Sequence, residues 1–446
     1  MARVKQITGI ASFVLLFTAC SGGGGGSSAP PPAVTSDPSP VINRDTPNNG
    51  QPFAFDKPGM RGLVQAVVLE NPIEQTILHC TVTLRNGQEC NLNTLPLLGM
   101  ETSSPSIDDV MLRVLVSHEW MGTRFRDLLE VLPPEILLMT RGLTAIIISH
   151  DIRPSFYTTQ TGAIYLDPDA MWLDEVEKND IDTAPDYRSL FGLDLQFVML
   201  WRYVKDNEYA TITPVTGTRT IGDIKFLVAA LLYHELAHAN DYFSISRQGS
   251  LDTTVPIHIA AQGVIASSRL SSQFSLRSDT MSALARVSFL GLTASAAQIA
   301  LLPEDVEAEF STDYASDYYN YSTQREDLAM AFEEAMMLYS FGIDRDVAIT
   351  NRPGTDDCID FLVTWGQRNR IADPAVAVRA IYSVGELLPE VAAQVELVVN
   401  AQEPPTQMIV GDDWCQNRFL GVTSSARALR PISASEPPVE WLVPYL

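Results

Sequence analysis

The run 221–243 reads as one long helix that carries two histidines on a single face. Ile224, Leu227, Val228, Leu231 and Leu232 recur at helical spacing and lead into His234-Glu235-Leu236-Ala237-His238. At 3.6 residues per turn, positions i and i+4 stand one above the other, so both imidazoles can reach one ion. Glu235 sits one residue further round, where its carboxylate can reach an attacking water. Such a stretch supplies two of the three protein ligands of a catalytic zinc, together with a general base. A helix with two hydrogen-bonded histidines needs no metal. Against that plainer reading, the chain has only six histidines, and two of them stand at ligand spacing around a glutamate.

Catalytic zinc needs a third protein ligand and one open position. A histidine six residues after His238 would complete the metzincin pattern, but Ser244 stands there and Asp241 occupies that pattern's glycine position, so it is excluded. A glutamate from a second helix is the other common solution. In 321–334 a polar, Tyr-rich loop leads into a helix with Glu326 in its first turn. His234 to His238 together with Glu326-Asp327-Leu328-Ala329 resembles the gluzincin class of zinc metallopeptidases, including bacterial toxin-like members with an E-D-F-A-E type second motif. The resemblance implies a zincin-like fold with a small β-sheet, Zn2+ as cofactor, Glu326 as third ligand, Glu235 as base and a peptide or protein substrate. It covers two short segments 88 positions apart, which implies an inserted helical region. The chain departs from the motif at Met330, where an acid would orient one of the histidines. Asp241, Asp327 or a backbone carbonyl could serve instead, and Glu333 and Glu334 are alternative ligands on the same helix. Some members of the class place an oxyanion-stabilising tyrosine shortly before the third ligand, which makes Tyr319 and Tyr321 candidates. The plainer reading packs Tyr314, Tyr318, Tyr319 and Tyr321 as an aromatic cluster with polar tips.

With 446 residues, 46% of them hydrophobic and 19% charged, the chain can bury a large core. Arg3 and Lys5 precede an apolar run at 10–17 that ends in Phe17-Thr18-Ala19-Cys20. Residues 1–19 therefore read as a signal peptide, too short to span a membrane. Its end resembles a bacterial lipobox with Phe17 in place of the usual Leu. That likeness implies a lipid on Cys20 and, with Ser21 rather than Asp following, an outer-membrane lipoprotein of the cell envelope. Residues 20–60 are a Gly/Ser/Pro-rich tether with no apolar pattern to bury. Losing residues 1–19, with two basic residues and no acid, takes the formal charge from −24 to −26. So acidic a surface repels phosphate backbones, which argues against a nucleic-acid partner.

Four cysteines remain beyond Cys20, an even number suited to an oxidising compartment. Cys80 and Cys90 flank Asn86-Gly87, a hairpin signal, so a disulfide across a β-hairpin is expected, and Cys358 then pairs with Cys415 by default. Residues 61–105 read as a small β-rich region with strands at 63–69 and 77–84, and 106–446 as the zincin-like metallopeptidase domain. A helix is expected at 107–132, stopped by Pro133-Pro134, then a buried central strand at 143–149 and a hairpin or sheet edge at 156–166. A polar stretch covers 167–218. Beyond 243 the pattern is mostly helical, at 276–301, 324–341, 374–386 and 388–400. The expected fold class is α+β, predominantly helical. No G-x-S-x-G occurs and the cysteines pair off, so serine and cysteine hydrolase readings have no support. The sequence thus points to an exported, lipid-anchored zinc metallohydrolase, foremost a peptidase. The alternative is a non-catalytic envelope lipoprotein with a structural metal site.

Overall fold

A computed structural model describes residues 64–83, 89–182, 184 and 186–421. The signal peptide, Cys20 and the tether lie outside the described residues. Five strands form the first sheet: β1 (Gln65–Ala66), β2 (Val114–Val116), β3 (Ile146–Ile148), β4 (Phe156–Thr158) and β5 (Ala163–Leu166), in the order β1-β2-β3-β5-β4. The three central strands run parallel, with Val114 opposite Ile146 and Ile146 opposite Ile164, while β1 and β4 flank them antiparallel. Every residue of β2, β3 and β5 is buried, as a parallel sheet covered on both faces requires. The strand expected at 143–149 is β3, and 156–166 is both a hairpin and a sheet edge.

Other expectations for this half need correcting. The segment 107–132 is not one helix: it divides into a short helix, Ile107–Met111, then β2, then α1 (Glu119–Val131). Val114-Leu115-Val116 is buried throughout and suits a strand between two neighbours better than an amphipathic helix. Nor is 61–105 β-rich. The expected strand at 77–84 is, over its described part, the end of a helix at Glu74–Thr81, and of 63–69 only β1 is a strand. Since β1 pairs with β2, this region contributes to the same sheet as the chain beyond it. The Cys80–Cys90 disulfide forms, but it joins that helix to a loop instead of crossing a hairpin. Asn86-Gly87 falls outside the described residues.

A second five-stranded sheet, antiparallel throughout, was not legible in the sequence. It comprises β6 (Phe197–Lys205), β7 (Glu208–Tyr209), β8 (Asp344–Asn351), β9 (Val363–Arg368) and β10 (Thr406–Gln407), in the order β10-β9-β8-β6-β7. Arg202, Asp346 and Arg368 face one another across β6, β8 and β9, and Asp346 accepts from both arginines, at 2.8 and 2.6 Å. The Cys358–Cys415 disulfide forms beside this sheet.

Between strands β7 and β8 runs most of the helical mass. The central element is α2 (Ile221–Phe243), followed by α3 (Asp279–Leu290) and α4 (Gln324–Phe341); α5 (Pro374–Leu387) and α6 (Ala392–Asn400) come after β9. At the start of α2 a reciprocal cap forms: the Thr220 side chain accepts from Asp223 N and the Asp223 carboxylate accepts from Thr220 N, an arrangement worth about 1 kcal/mol. From Val228 to Asp241 every residue of α2 is buried. Leu231, Leu232 and Leu236 pack into the main core, and each such side chain contributes about 2 kcal/mol. The turn at 140–142 presses on α2 from one side: Asn240 Nδ2 donates to Met139 O at 2.7 Å, and a Cβ on Gly142 would lie 3.1 Å from the Asn240 side chain. Helix α4 packs along α2, and α5 and α6 pack against α4. The fold is α+β with helix outweighing strand, as expected. Among the described residues no helix is long and apolar enough to cross a membrane.

Candidate metal centre

Two helix geometries build the site. On α2 the i, i+4 spacing brings the rings of His234 and His238 edge to face, 4.8 Å between centroids. On α4 the Thr323 hydroxyl caps the first turn, accepting from Arg325 N and Glu326 N at 3.2 Å each, and so presents Glu326 at the N-terminal end. A carboxylate there is favoured by the helix dipole. Three atoms then converge: Glu326 Oε2 lies 3.0 Å from His234 Nε2 and 3.2 Å from His238 Nε2, and the two Nε2 atoms are 3.1 Å apart. All three residues are buried, and they are the group among the described residues able to hold a metal ion.

Protons alone satisfy this triangle poorly. If both imidazoles donate from Nε2 to Glu326, two N–H groups point at each other across 3.1 Å. A cation between the three atoms removes the conflict. Zinc at about 2.1 Å from tetrahedral ligands sets their separations at about 3.4 Å, close to those found. The donor set, two imidazoles and one carboxylate, fits zinc and other divalent transition ions alike. The surrounding acids favour positive charge on these rings, so a proton competes with a metal ion for them. Burial opposes the charged form of His234, yet hydrogen bonds to Glu326 and Glu333 carry its pKa up to about 10. Burial likewise opposes charge on Glu326, but His238 and His234 hold its carboxyl well below the usual range.

The acid missing at Met330 is supplied one turn later. Met330 is core, fully buried, whereas Glu333 Oε2 stands 3.2 Å from His234 Nδ1. Seven residues make two turns, so Glu326 and Glu333 share a face and hold opposite nitrogens of one ring. The other oxygen of Glu333 accepts from Tyr203 at 2.9 Å and from Arg345 at 3.1 Å. The substitutes weighed from the sequence are engaged elsewhere. Asp241 accepts from Ser267 N and Oγ, at 2.8 and 2.6 Å, and Asp327 pairs with Arg379 and Asn320. Glu334 is not part of the triangle and faces Arg345 at 3.7 Å.

Glu235, beside the first histidine, is buried, and its Oε2 has no hydrogen-bond partner. The tyrosines part company. The Tyr319 ring lies against His234, 6.1 Å between centroids and 25° from parallel. Tyr321 does not join the trio: it donates to Asp313 at 3.0 Å and packs on Phe310 in a separate core. Tyr318 bonds Ser288 at 3.1 Å, and Tyr318 and Tyr319 both pack on Phe289, at 5.0 and 4.7 Å between centroids, so the packing-cluster reading holds for all three. Arg345, Tyr203 and Asp317, which buttress the site from behind, escaped the sequence because a single charged or polar residue inside a strand or loop carries no spacing signal. Compared with models of protein families, with curated proteins and with solved structures, the chain matches none.

Proposed function

We propose that this chain is a zinc-dependent peptidase of zincin type, exported and held at the cell envelope, in the outer membrane, by a lipid on Cys20. One observation carries the reading: three metal-type donors from two helices converge beside Glu235, a buried carboxylate with an unpartnered oxygen. His234, His238 and Glu326 would hold the ion. When bound, zinc supplies a Lewis acid that polarises a carbonyl and makes water acidic enough to attack at neutral pH. Glu235 takes the proton from the attacking water and returns it to the leaving amine. Glu333 would fix the ring of His234 with its Nε2 toward Glu326. Tyr319 donates its hydroxyl to the charge that develops on the carbonyl oxygen. Strand β4 ends its sheet and meets α2 where Tyr157 stacks on Tyr242, 6.0 Å between centroids. An extended peptide can pair with such an edge.

The depth of the trio favours a second reading, a non-catalytic lipoprotein in which metal only holds α2 to α4. His234, His238 and Glu326 are 1, 7 and 4% exposed. One experiment separates the two: metal content and peptide-library cleavage of the mature wild type and of Glu235→Gln. One zinc per chain in both proteins, with cleavage by the wild type alone, supports the peptidase. Equal cleavage by both removes Glu235 as the base, and zinc without cleavage leaves the structural reading.

A further inference from the structure

Behind the metal centre one base is set among three buried acids. Arg345, on β8, places Nη2 3.1 Å from Glu333 Oε1, and Nη1 3.3 Å from Asp317 Oδ2 and 3.7 Å from Glu334 Oε2. All four side chains are at most 2% exposed. The guanidinium also lies over the rings of Trp201 and Tyr203 on the neighbouring strand, at 4.3 and 4.8 Å, so its orientation is fixed by packing as well as by charge. The carboxylates nearest to it use their second oxygens on different parts of the site. Glu333 Oε2 meets His234 Nδ1 at 3.2 Å. Asp317 Oδ1 accepts from the backbone N–H of Tyr319 at 2.7 Å, and the ring of Tyr319 rests against His234.

We infer that Arg345 is the positioning residue of this centre, holding Glu333 against His234 and Asp317 beneath Tyr319 at the same time. The inference rests on the reading of His234, His238 and Glu326 as a metal site. Arginine suits the task because its planar guanidinium donates from Nη2 to Glu333 while Nη1 stands as a charge beside Asp317, two separated contacts that the single ammonium of lysine does not offer. Strand β8 of the second sheet is thereby made part of the metal site, although none of its residues touches the triangle.

The test measures zinc affinity of the full mature chain by competition with a chromogenic chelator. The visible spectrum of the Co2+-loaded protein reports ligand geometry, and urea titration reports stability. Glu333→Gln should weaken zinc binding by roughly 10- to 100-fold, as loss of an outer partner does. Arg345→Lys and Asp317→Asn, neither of which removes a contact to the triangle, should each weaken it about 10-fold and shift the Co2+ bands. Arg202→Lys is the control: it disturbs the buried pair with Asp346 on the same two strands and should lower stability with zinc affinity unchanged. If Arg345→Lys does not fold, Asp317→Asn decides, since asparagine keeps the acceptor for Tyr319 N–H. Zinc affinity within twofold of wild type in Asp317→Asn, or equal weakening by Arg202→Lys, overturns the inference. A wild type that takes up no zinc sinks the metal reading and this inference with it. A wild type that binds zinc but cleaves nothing sinks only the peptidase.

Discussion

Removing Glu326 from the triangle tests the centre most directly, and the size of the effect can be worked out beforehand. Zinc that binds only the folded chain adds RT ln(1 + [Zn]/Kd), which is about 4 kcal/mol when free zinc is held at about 1,000 times Kd. Unfolding a body of roughly 360 residues releases about 0.75 kcal/mol per degree, so this stabilisation raises Tm by about 5 °C. In Glu326→Gln one anionic ligand becomes a weak neutral one. If Kd rises about 100-fold, the same zinc stands at about 10 times Kd and adds about 1.4 kcal/mol, or about 2 °C. Calorimetry with buffered zinc, repeated in chelator, reads both values. Glu403→Gln, which removes an exposed acid, should behave as the wild type does. Zinc that leaves the wild-type Tm unmoved, or that shifts Glu326→Gln and the wild type equally, would remove Glu326 as a ligand.

Tyr319→Phe should lower kcat about 100-fold or more, as loss of one oxyanion donor does, whereas Tyr321→Phe should leave kcat alone and cost about 2 kcal/mol for its buried bond to Asp313. Steady-state kinetics and urea unfolding of the pair settle this, and a reversed pattern would exchange their roles. Replacing both Cys358 and Cys415 by Ala opens a 57-residue separation and should cost about 4 kcal/mol, against about 3 for the 10-residue separation of Cys80 and Cys90. Equal or inverted losses in denaturant would show that chain entropy is not what these bridges supply. Burial, opposed by Arg153, pushes Asp167 up to about 7. The folded state therefore holds this proton more tightly than the unfolded chain, and the group's contribution is fullest below about pH 4 and lost as pH rises through about 7. Asp167→Asn should gain on the wild type between pH 5 and pH 8 in urea titrations; a gap that stays constant with pH would refute the assignment.

What could be read from the sequence was what is long and capped. Helix α2 matches its expected bounds because Thr220 and Asp223 mark its start and its apolar residues keep one period. Helix α4 does likewise between Thr323 and Gly342, a residue at φ 60° that closes it. Strand β2, three residues inside a run with helical spacing, gave no such warning. The second sheet was hidden by its own chemistry. Its central strand β8 begins Asp344-Arg345-Asp346, and buried ions that pair across strands look like a solvated loop when read along one chain. The three residues of the candidate site, His234, His238 and Glu326, were visible because helical period and a cap constrain them. The contact of Glu333 with His234 was not, since what sets Glu333 apart from Glu334 is the partner each one faces.

The separation of 88 positions from His238 to Glu326 also governs when the site can exist. Two histidines one turn apart are neighbours as soon as α2 forms, but Glu326 joins them only after a long loop has closed and α4 has docked. An ion that needs all three cannot template early steps of folding as it does where ligands lie close along the chain. If the site takes up zinc, the added ion should therefore leave the refolding rate nearly unchanged and slow unfolding instead, so that it would act as a late lock on an already assembled chain.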